Sequence, residues 1–197
     1  GASGGNTIGG MANGAGNTIA FNEANGVTLF PSAGGGNVIS SNAIFSNGGI
    51  GIDLNDDDET GNDPDDGDIG PNDLQNFPVL TAVKLAPGST MIEGQLDSTA
   101  LTSFRIEFFL SPMCDSSTFG EGQKFIGATT VNTGGSGDSS FAVPFPTLNL
   151  QNQFYTATAT DAGGNTSEFS PCAGTLEVAD LSAQTPNDLV TAILRPG

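Results

Sequence analysis

Asn17-Thr18-Ile19-Ala20-Phe21-Asn22-Glu23-Ala24-Asn25-Gly26-Val27-Thr28-Leu29 and Asn42-Ala43-Ile44-Phe45-Ser46-Asn47-Gly48-Gly49-Ile50-Gly51-Ile52-Asp53-Leu54 are the two stretches whose comparison decides the fold. At a constant offset of 25, Asn17 falls on Asn42, Asn22 on Asn47 and Gly26 on Gly51. The apolar positions follow: Ile19 meets Ile44, Val27 meets Ile52 and Leu29 meets Leu54. A Gly-Asn-(Thr/Val)-Ile motif also recurs, at Gly5 to Ile8, Gly16 to Ile19 and Gly36 to Ile39. Short β-branched runs with Asn and Gly at fixed turns, repeating near 25 residues, predict coils of a parallel β-helix over residues 1–54, stacked about 4.8 Å apart. Ile19 and Ile44 should stack inside, and the two Asn pairs should form amide ladders at the corners. A disordered Gly/Asn tract has no reason to hold its apolar positions in such register.

Downstream of this repeat the chain turns acidic. Between Asp53 and Asp73 lie ten of its 22 acids. Carboxylates this dense repel one another unless a cation sits among them, and oxygen donors on a Gly-rich loop suit Ca²⁺, which takes six to eight ligands. The candidate ligands are Asp53, Asp56, Asp58, Asp63, Asp65, Asp66, Asp68 and Asp73. The run Asp63-Pro64-Asp65-Asp66-Gly67-Asp68-Ile69-Gly70 is Asp/Gly-rich but lacks the twelve-residue EF-hand pattern and its closing Glu. Residues 55–76 therefore admit two readings, a calcium-binding joint or a solvated acidic linker.

From Phe77 the pattern becomes alternating. Strands are expected at Val79 to Leu85, Thr90 to Leu96, Ser103 to Leu110, Lys124 to Val131, Ser140 to Phe145, Phe154 to Thr160 and Ser167 to Val178. Turns rich in Gly, Pro, Asn and Asp separate them. Seven short strands at this spacing predict an antiparallel, immunoglobulin-like sandwich over residues 77–178. Phe104, Ile106 and Phe108 should point inward, with Arg105 and Glu107 outside. Residues 179–197 form a C-terminal extension, in which Pro186 to Leu194 has modest apolar content.

The composition narrows the function. Twenty-two acids against four bases give a net charge of -18, a field that repels nucleic acid and anionic membrane surfaces. Residues 1–76 contain eleven acids and no Lys or Arg, so the first half has the greater need of a counter-ion. No apolar stretch approaches the length of a membrane span, and no signal peptide precedes Gly1, so any export signal is expected to have been removed or to lie upstream. Two cysteines, Cys114 and Cys172, with no histidine, argue against zinc. A disulfide between them would close a 58-residue loop, contribute about 4 kcal/mol on the chain-entropy model and imply an oxidising compartment. Two buried thiols are the alternative.

Asn42 to Leu54, the Asp-rich stretch and Gly70-Pro71-Asn72-Asp73-Leu74-Gln75-Asn76-Phe77-Pro78-Val79-Leu80 together resemble the last coils of right-handed parallel β-helix repeat proteins on bacterial surfaces. Tyr155 to Phe169 resembles the penultimate and last strands of bacterial immunoglobulin-like domains, and that likeness covers about residues 77–178. Some members of the latter family hold Ca²⁺ near an Asp-x-x-Gly-Asn turn, matched here by Asp161 and Asn165, although ordinary turn chemistry explains the same residues. The β-helix resemblance implies a longer solenoid, of which about two coils remain.

Parallel β-helices also host polysaccharide lyases and hydrolases. A lyase needs a base and cations to neutralise a uronate, and a hydrolase needs rigidly paired carboxylates. The first half has no Lys or Arg, its acids crowd a Gly-rich loop, and the chain has no histidine, which removes most nucleophilic triads. The expected function is thus non-catalytic: a secreted or cell-surface bacterial structural or adhesive module. The alternatives are a glycan-binding module or the remnant of a lyase or hydrolase. A β-helix that opens in mid-coil leaves an unpaired edge. Either a second copy covers it head-to-tail, building a fibre, or other domains of a longer parent chain do.

Overall fold

The computed structural model describes residues 3–146 and 153–175, and the expected C-terminal extension lies outside them. The chain is all-β. Six three-residue strands open it: β1 (Thr7–Gly9), β2 (Thr18–Ala20), β3 (Val27–Leu29), β4 (Val38–Ser40), β5 (Ala43–Phe45) and β6 (Ile52–Leu54). Each strand of the first three pairs in parallel with one of the second three, β1 with β4, β2 with β5 and β3 with β6. The registers Ile19 to Ile44, Val27 to Ile52 and Leu29 to Leu54 are those of the 25-residue repeat. In the β1 to β4 pair Ile8 meets Ile39, a spacing of 31, because the first coil carries a longer connection between β1 and β2.

Both expected amide ladders form. Asn17 donates its backbone N–H (2.9 Å) and Nδ2 (3.0 Å) to Asn42 Oδ1, and Asn22 does the same to Asn47 Oδ1 at 3.3 and 2.8 Å. A third ladder joins them, with Asn6 Nδ2 donating to Asn37 Oδ1 at 2.7 Å. Rungs this close leave no room for a side chain at some corners. A Cβ on Gly16 would overlap the Ser41 carbonyl, and one on Gly48 the Glu23 carbonyl.

Among the described residues the second half holds seven strands in two antiparallel sheets. Their bounds are β7 (Val79–Ala86), β8 (Ser89–Asp97), β9 (Ser103–Ser111), β10 (Lys124–Asn132), β11 (Asp138–Pro146), β12 (Phe154–Thr160) and β13 (Ala173–Gly174). One sheet has the order β11-β8-β7, the other β10-β9-β12-β13. Their facing sides share one core, in which Val83, Ile92, Phe104, Ile106, Phe108 and Tyr155 are fully buried. Pro144 and Pro146 lie in β11, at the edge of its sheet, where a missing N–H does least harm to the ladder.

Two sequence expectations need correction here. Of the strand expected from Ser167 to Val178, only Ala173–Gly174 is regular, and residues from 176 on lie outside the description. Ser167 and Ser170 hydroxyls accept from the backbone N–H groups of Ala159 and Ala157 at 2.9 and 3.0 Å, replacing part of the β-ladder that a regular strand would make. Glu107 does point away from the sandwich core, yet it is only 1% exposed, because the parallel unit covers that face of β9. Phe109, on the same face, joins Leu29, Ile39, Ile44, Ile52, Leu54 and Phe169 in a second apolar cluster that binds the two halves together.

Candidate metal centre and the seal beside it

On the side facing away from β1, β2 and β3, the segments that carry β4, β5 and β6 present backbone N–H groups that a further parallel strand would take up. Side chains of the second half take them instead. Asn72, in the short 3-10 turn Pro71–Leu74, accepts at Oδ1 from Asn37 N (2.9 Å) and Nδ2 (3.1 Å), the bond pair that Asn37 itself accepts from Asn6. Glu121 accepts at Oε1 from Asn47 N (3.1 Å) and Nδ2 (2.8 Å), and at Oε2 from Ser46 N (2.6 Å). Glu107 accepts from Ser41 N and from Ser40 Oγ, each at 2.7 Å. Glu168 accepts from Leu54 N (2.7 Å) and Thr60 N (2.9 Å). Ile44 and Gly122 exchange backbone bonds as an antiparallel bridge, and Ile39 N donates to Thr166 Oγ1 at 3.0 Å.

All three glutamates are buried, at 1, 8 and 2% exposure for Glu107, Glu121 and Glu168. Among the described residues one cation reaches them, Arg105, whose Nε lies 3.0 Å from Glu107 Oε1. Burial pushes the Glu168 carboxyl up to about 8; its two backbone donors work against that rise, while Asp53 and Asp57 add to it. Hydrogen bonds from backbone N–H groups offset part of the cost of holding these carboxyl groups out of water.

The eight candidate ligand aspartates separate into distinct environments. Asp63, Asp66 and Asp68 come together, each offering an oxygen within 4.8 Å of the others. Asp66 is held by its neighbours: Oδ1 accepts from Asn76 N at 2.8 Å, and Oδ2 from Ser98 Oγ at 2.6 Å. Asp63 Oδ2 accepts from Gly67 N at 3.1 Å. Asp63 Oδ1 and Asp68 Oδ1 are buried, and among the described residues neither has a donor. Burial pushes the Asp66 and Asp68 carboxyls up, and Asp63 adds to both shifts by like-charge repulsion. Two donorless carboxylate oxygens inside a cluster of three acids are the chemistry a hard cation satisfies.

The other five candidates lie outside this cluster. Asp53 is buried in β6, where its Oδ2 accepts from Asn25 Nδ2 at 2.5 Å and its Oδ1 from Asp57 N at 3.3 Å. Asp56 and Asp58 are exposed on the following loop, both with positive φ. Asp65 is exposed and donates its N–H to Asp97 Oδ1 at 3.1 Å. Asp73 Oδ2 accepts from Asn165 Nδ2 at 3.1 Å, tying the acidic segment to the turn after β12. In that turn Asp161 accepts from Asn165 N (2.8 Å) and Nδ2 (2.9 Å), so hydrogen bonding within the turn occupies both carboxylate oxygens.

Sequence reasoning located the acids but missed the seal. Asn72 and Glu121 lie on irregular segments with no periodicity to mark them. The signal available was the Asn repeat itself, which implies that a third-rung acceptor must come from somewhere. Cys114 and Cys172 form a disulfide with a Cα separation of 6.0 Å, fastening the loop after β9 to the segment before β13. No known protein-family model matches the chain, and no curated protein matches it in sequence.

Proposed function

We propose that this chain is a non-catalytic structural and adhesive module of a secreted or surface-displayed bacterial protein. In this reading the parallel unit is the end of a right-handed β-helix, and the seven-strand unit is an immunoglobulin-like sandwich that closes it. The observation that carries it is the commitment of the buried glutamates. Glu107, Glu121 and Glu168 spend their oxygens on backbone N–H groups of the neighbouring coil, and although Glu121 also lines the groove beside Phe45, the three do not converge on one cavity. The disulfide adds support for an oxidising compartment. Incubation with a panel of polysaccharides, neutral and uronate-containing, should release no reducing ends. Turnover of any of them would sink the reading.

The Asp63, Asp66 and Asp68 cluster is read as the Ca²⁺ site. Those three carboxylates would hold the ion, with water completing the shell, and the ion would neutralise the repulsion that leaves Asp63 Oδ1 and Asp68 Oδ1 without donors. Its role is mechanical: Asp66 is bonded to Asn76 and Ser98, so fixing it fixes the segment that enters β7. A melt with and without chelator tests this, and unchanged stability would reject it.

A glycan-binding role draws on a different observation. A groove of about 320 Å³ at the junction is lined by Phe45, Met113, Asp115, Ser116 and Gln123, and Phe21 backs the Phe45 ring edge-on at 5.7 Å. Retention of the monomer on a neutral oligosaccharide array, lost in F45A, would establish this role, and no retention would remove it.

A further inference from the structure

We propose that the exposed edge of the first coil is a docking surface for one further parallel coil carrying Asn at three corners, and that a second copy of this chain cannot supply that coil. The inference deepens the reading of the parallel unit as the end of a solenoid, and rests on it.

The ladders have a direction. In each, the Asn of the first coil donates its backbone N–H and Nδ2 to the Oδ1 of the second-coil Asn, as Asn6 to Asn37, Asn17 to Asn42 and Asn22 to Asn47. Every Oδ1 of the second coil is therefore occupied. In the first coil Asn6, Asn17 and Asn22 are exposed, and among the described residues none of their Oδ1 atoms accepts a hydrogen bond. Donors point into the molecule and acceptors point out. A complementary surface must bring a backbone N–H beside an amide NH₂ at three corners, and an Asn of a preceding coil carries that pair of donors.

The apolar interior makes the same demand. Ile39, Ile44 and Ile52 in the second coil are 3, 1 and 2% exposed. Their partners Ile8, Ile19 and Val27 in the first coil are only half-buried. A depression of about 280 Å³ opens there, lined by Ile8, Val27, Leu29, Phe30 and Ala33. At the opposite end of the stack Phe109 and Phe169 cover the corresponding apolar surface. The occupant must thus combine three corner amides with inward-pointing aliphatic residues, the pattern of the Gly-Asn-(Thr/Val)-Ile motif.

A second copy does not present this pattern. The end of its stack that bears the donors is closed by its own Asn72, Glu107 and Glu121. Two open ends brought together would set acceptors against acceptors at the corners. The first coil also carries Phe21 and Phe30, 78 and 59% exposed, where the second coil has Ser46 and Asn55. Large rings at these corners would form an apolar rim around the incoming coil.

The test extends the full chain. Residues 6–36 are duplicated in front of Asn6, so that a copy of the first coil falls one rung outward at the 31-residue spacing of Asn6 and Asn37. Amide exchange at Thr7, Thr18 and Thr28, whose N–H groups face away from the paired strands, is then compared with the unextended chain. Docking predicts slowing by about tenfold or more, abolished when the three duplicated asparagines are changed to alanine. Unchanged exchange overturns the proposal. Should the extended chain fail to fold, a synthetic peptide of residues 3–36 added to the intact chain is read by the same exchange, with the same two outcomes. Light scattering of the unextended chain should give a monomer. An oligomer that protects Asn6, Asn17 and Asn22 overturns the exclusion of a second copy. Polysaccharide turnover would remove the structural-module reading while leaving this exchange result interpretable by itself.

Discussion

Glu121 stands to Asn47 as Asn47 stands to Asn22: in each case one side-chain oxygen receives the backbone N–H and the Nδ2 of the preceding asparagine, at 3.1 and 2.8 Å in the first pair and 3.3 and 2.8 Å in the second. A carboxylate has been substituted for an amide at the position where the repeat stops. The substitution brings a second acceptor oxygen, which Ser46 N uses. Replacing Glu121 with Gln keeps one acceptor and should destabilise the chain by about 1–2 kcal/mol in chemical denaturation. Replacing it with Ala strands the two buried donors of Asn47 as well as Ser46 N and should cost more, on the order of 3–4 kcal/mol. Equal losses for the two variants would contradict this account of the seal.

Glu168 sets a pH dependence. Its carboxyl is raised to about 8 in the folded chain from an ordinary value of 4.5, so the folded state binds the proton more tightly than the unfolded state. Stability is then greatest at the acid end of this window and falls as pH rises from about 4.5 to about 8, by up to about 1.4 kcal/mol per pH unit from this group. Asp53, Asp66 and Asp68 are shifted upward too, chiefly by burial, and contribute with the same sign. Denaturation midpoints measured across this range should decline toward alkaline pH, and E168Q should flatten most of the decline. A rise in stability from pH 5 to pH 8 would refute it.

Calcium should act through Asp68. Its Oδ1 is buried without a donor, whereas Asp66 is bonded to both Asn76 and Ser98, so D68N removes a ligand while disturbing the least hydrogen bonding. At a hundredfold excess over its dissociation constant the ion adds about 2.7 kcal/mol to stability. The unsubstituted chain should gain that increment on titration with calcium, and D68N should lose most of it while matching the chelated parent. Equal calcium responses would place the ion elsewhere.

Reduction of Cys114–Cys172 opens a 58-residue loop and should lower stability by about 4 kcal/mol, less any residual structure in the reduced chain. The C114S/C172S variant should match the reduced protein and no longer respond to dithiothreitol. The loop after β9 leads into Gly120 and Glu121, so exchange should also quicken at Ser46 and Asn47.

Much of the architecture was legible because periodicity is a local property. The offset of 25 specified which isoleucine lies on which, and both ladders follow from it. Strand alternation likewise placed Phe104, Ile106 and Phe108 inside. What alternation does not contain is the neighbour on the other face, so Glu107 read as a solvated residue although another part of the chain buries it. The acidic segment is ambiguous for a different reason. Its composition signals a cation, but a carboxylate serves equally well as an acceptor for backbone N–H groups, and only folded geometry separates Asp63, Asp66 and Asp68 from Asp53 and Asp73. Asn72 lies within a recognisable stretch, yet its role was hidden, because a 3-10 turn with positive φ at Asn72 and Asp73 has no strand signature.

A repeat that can always accept one more copy of itself contains no instruction about its own length. The Asn72 and Glu121 oxygens supply one, since they consume the donors on which the next repeat would have been laid. In the proposed solenoid, the place of such residues along the chain would fix how far the stack extends. Moving the 3-10 turn and the carboxylate by whole repeats would give a series of rods graded in length, all finished by the same cap.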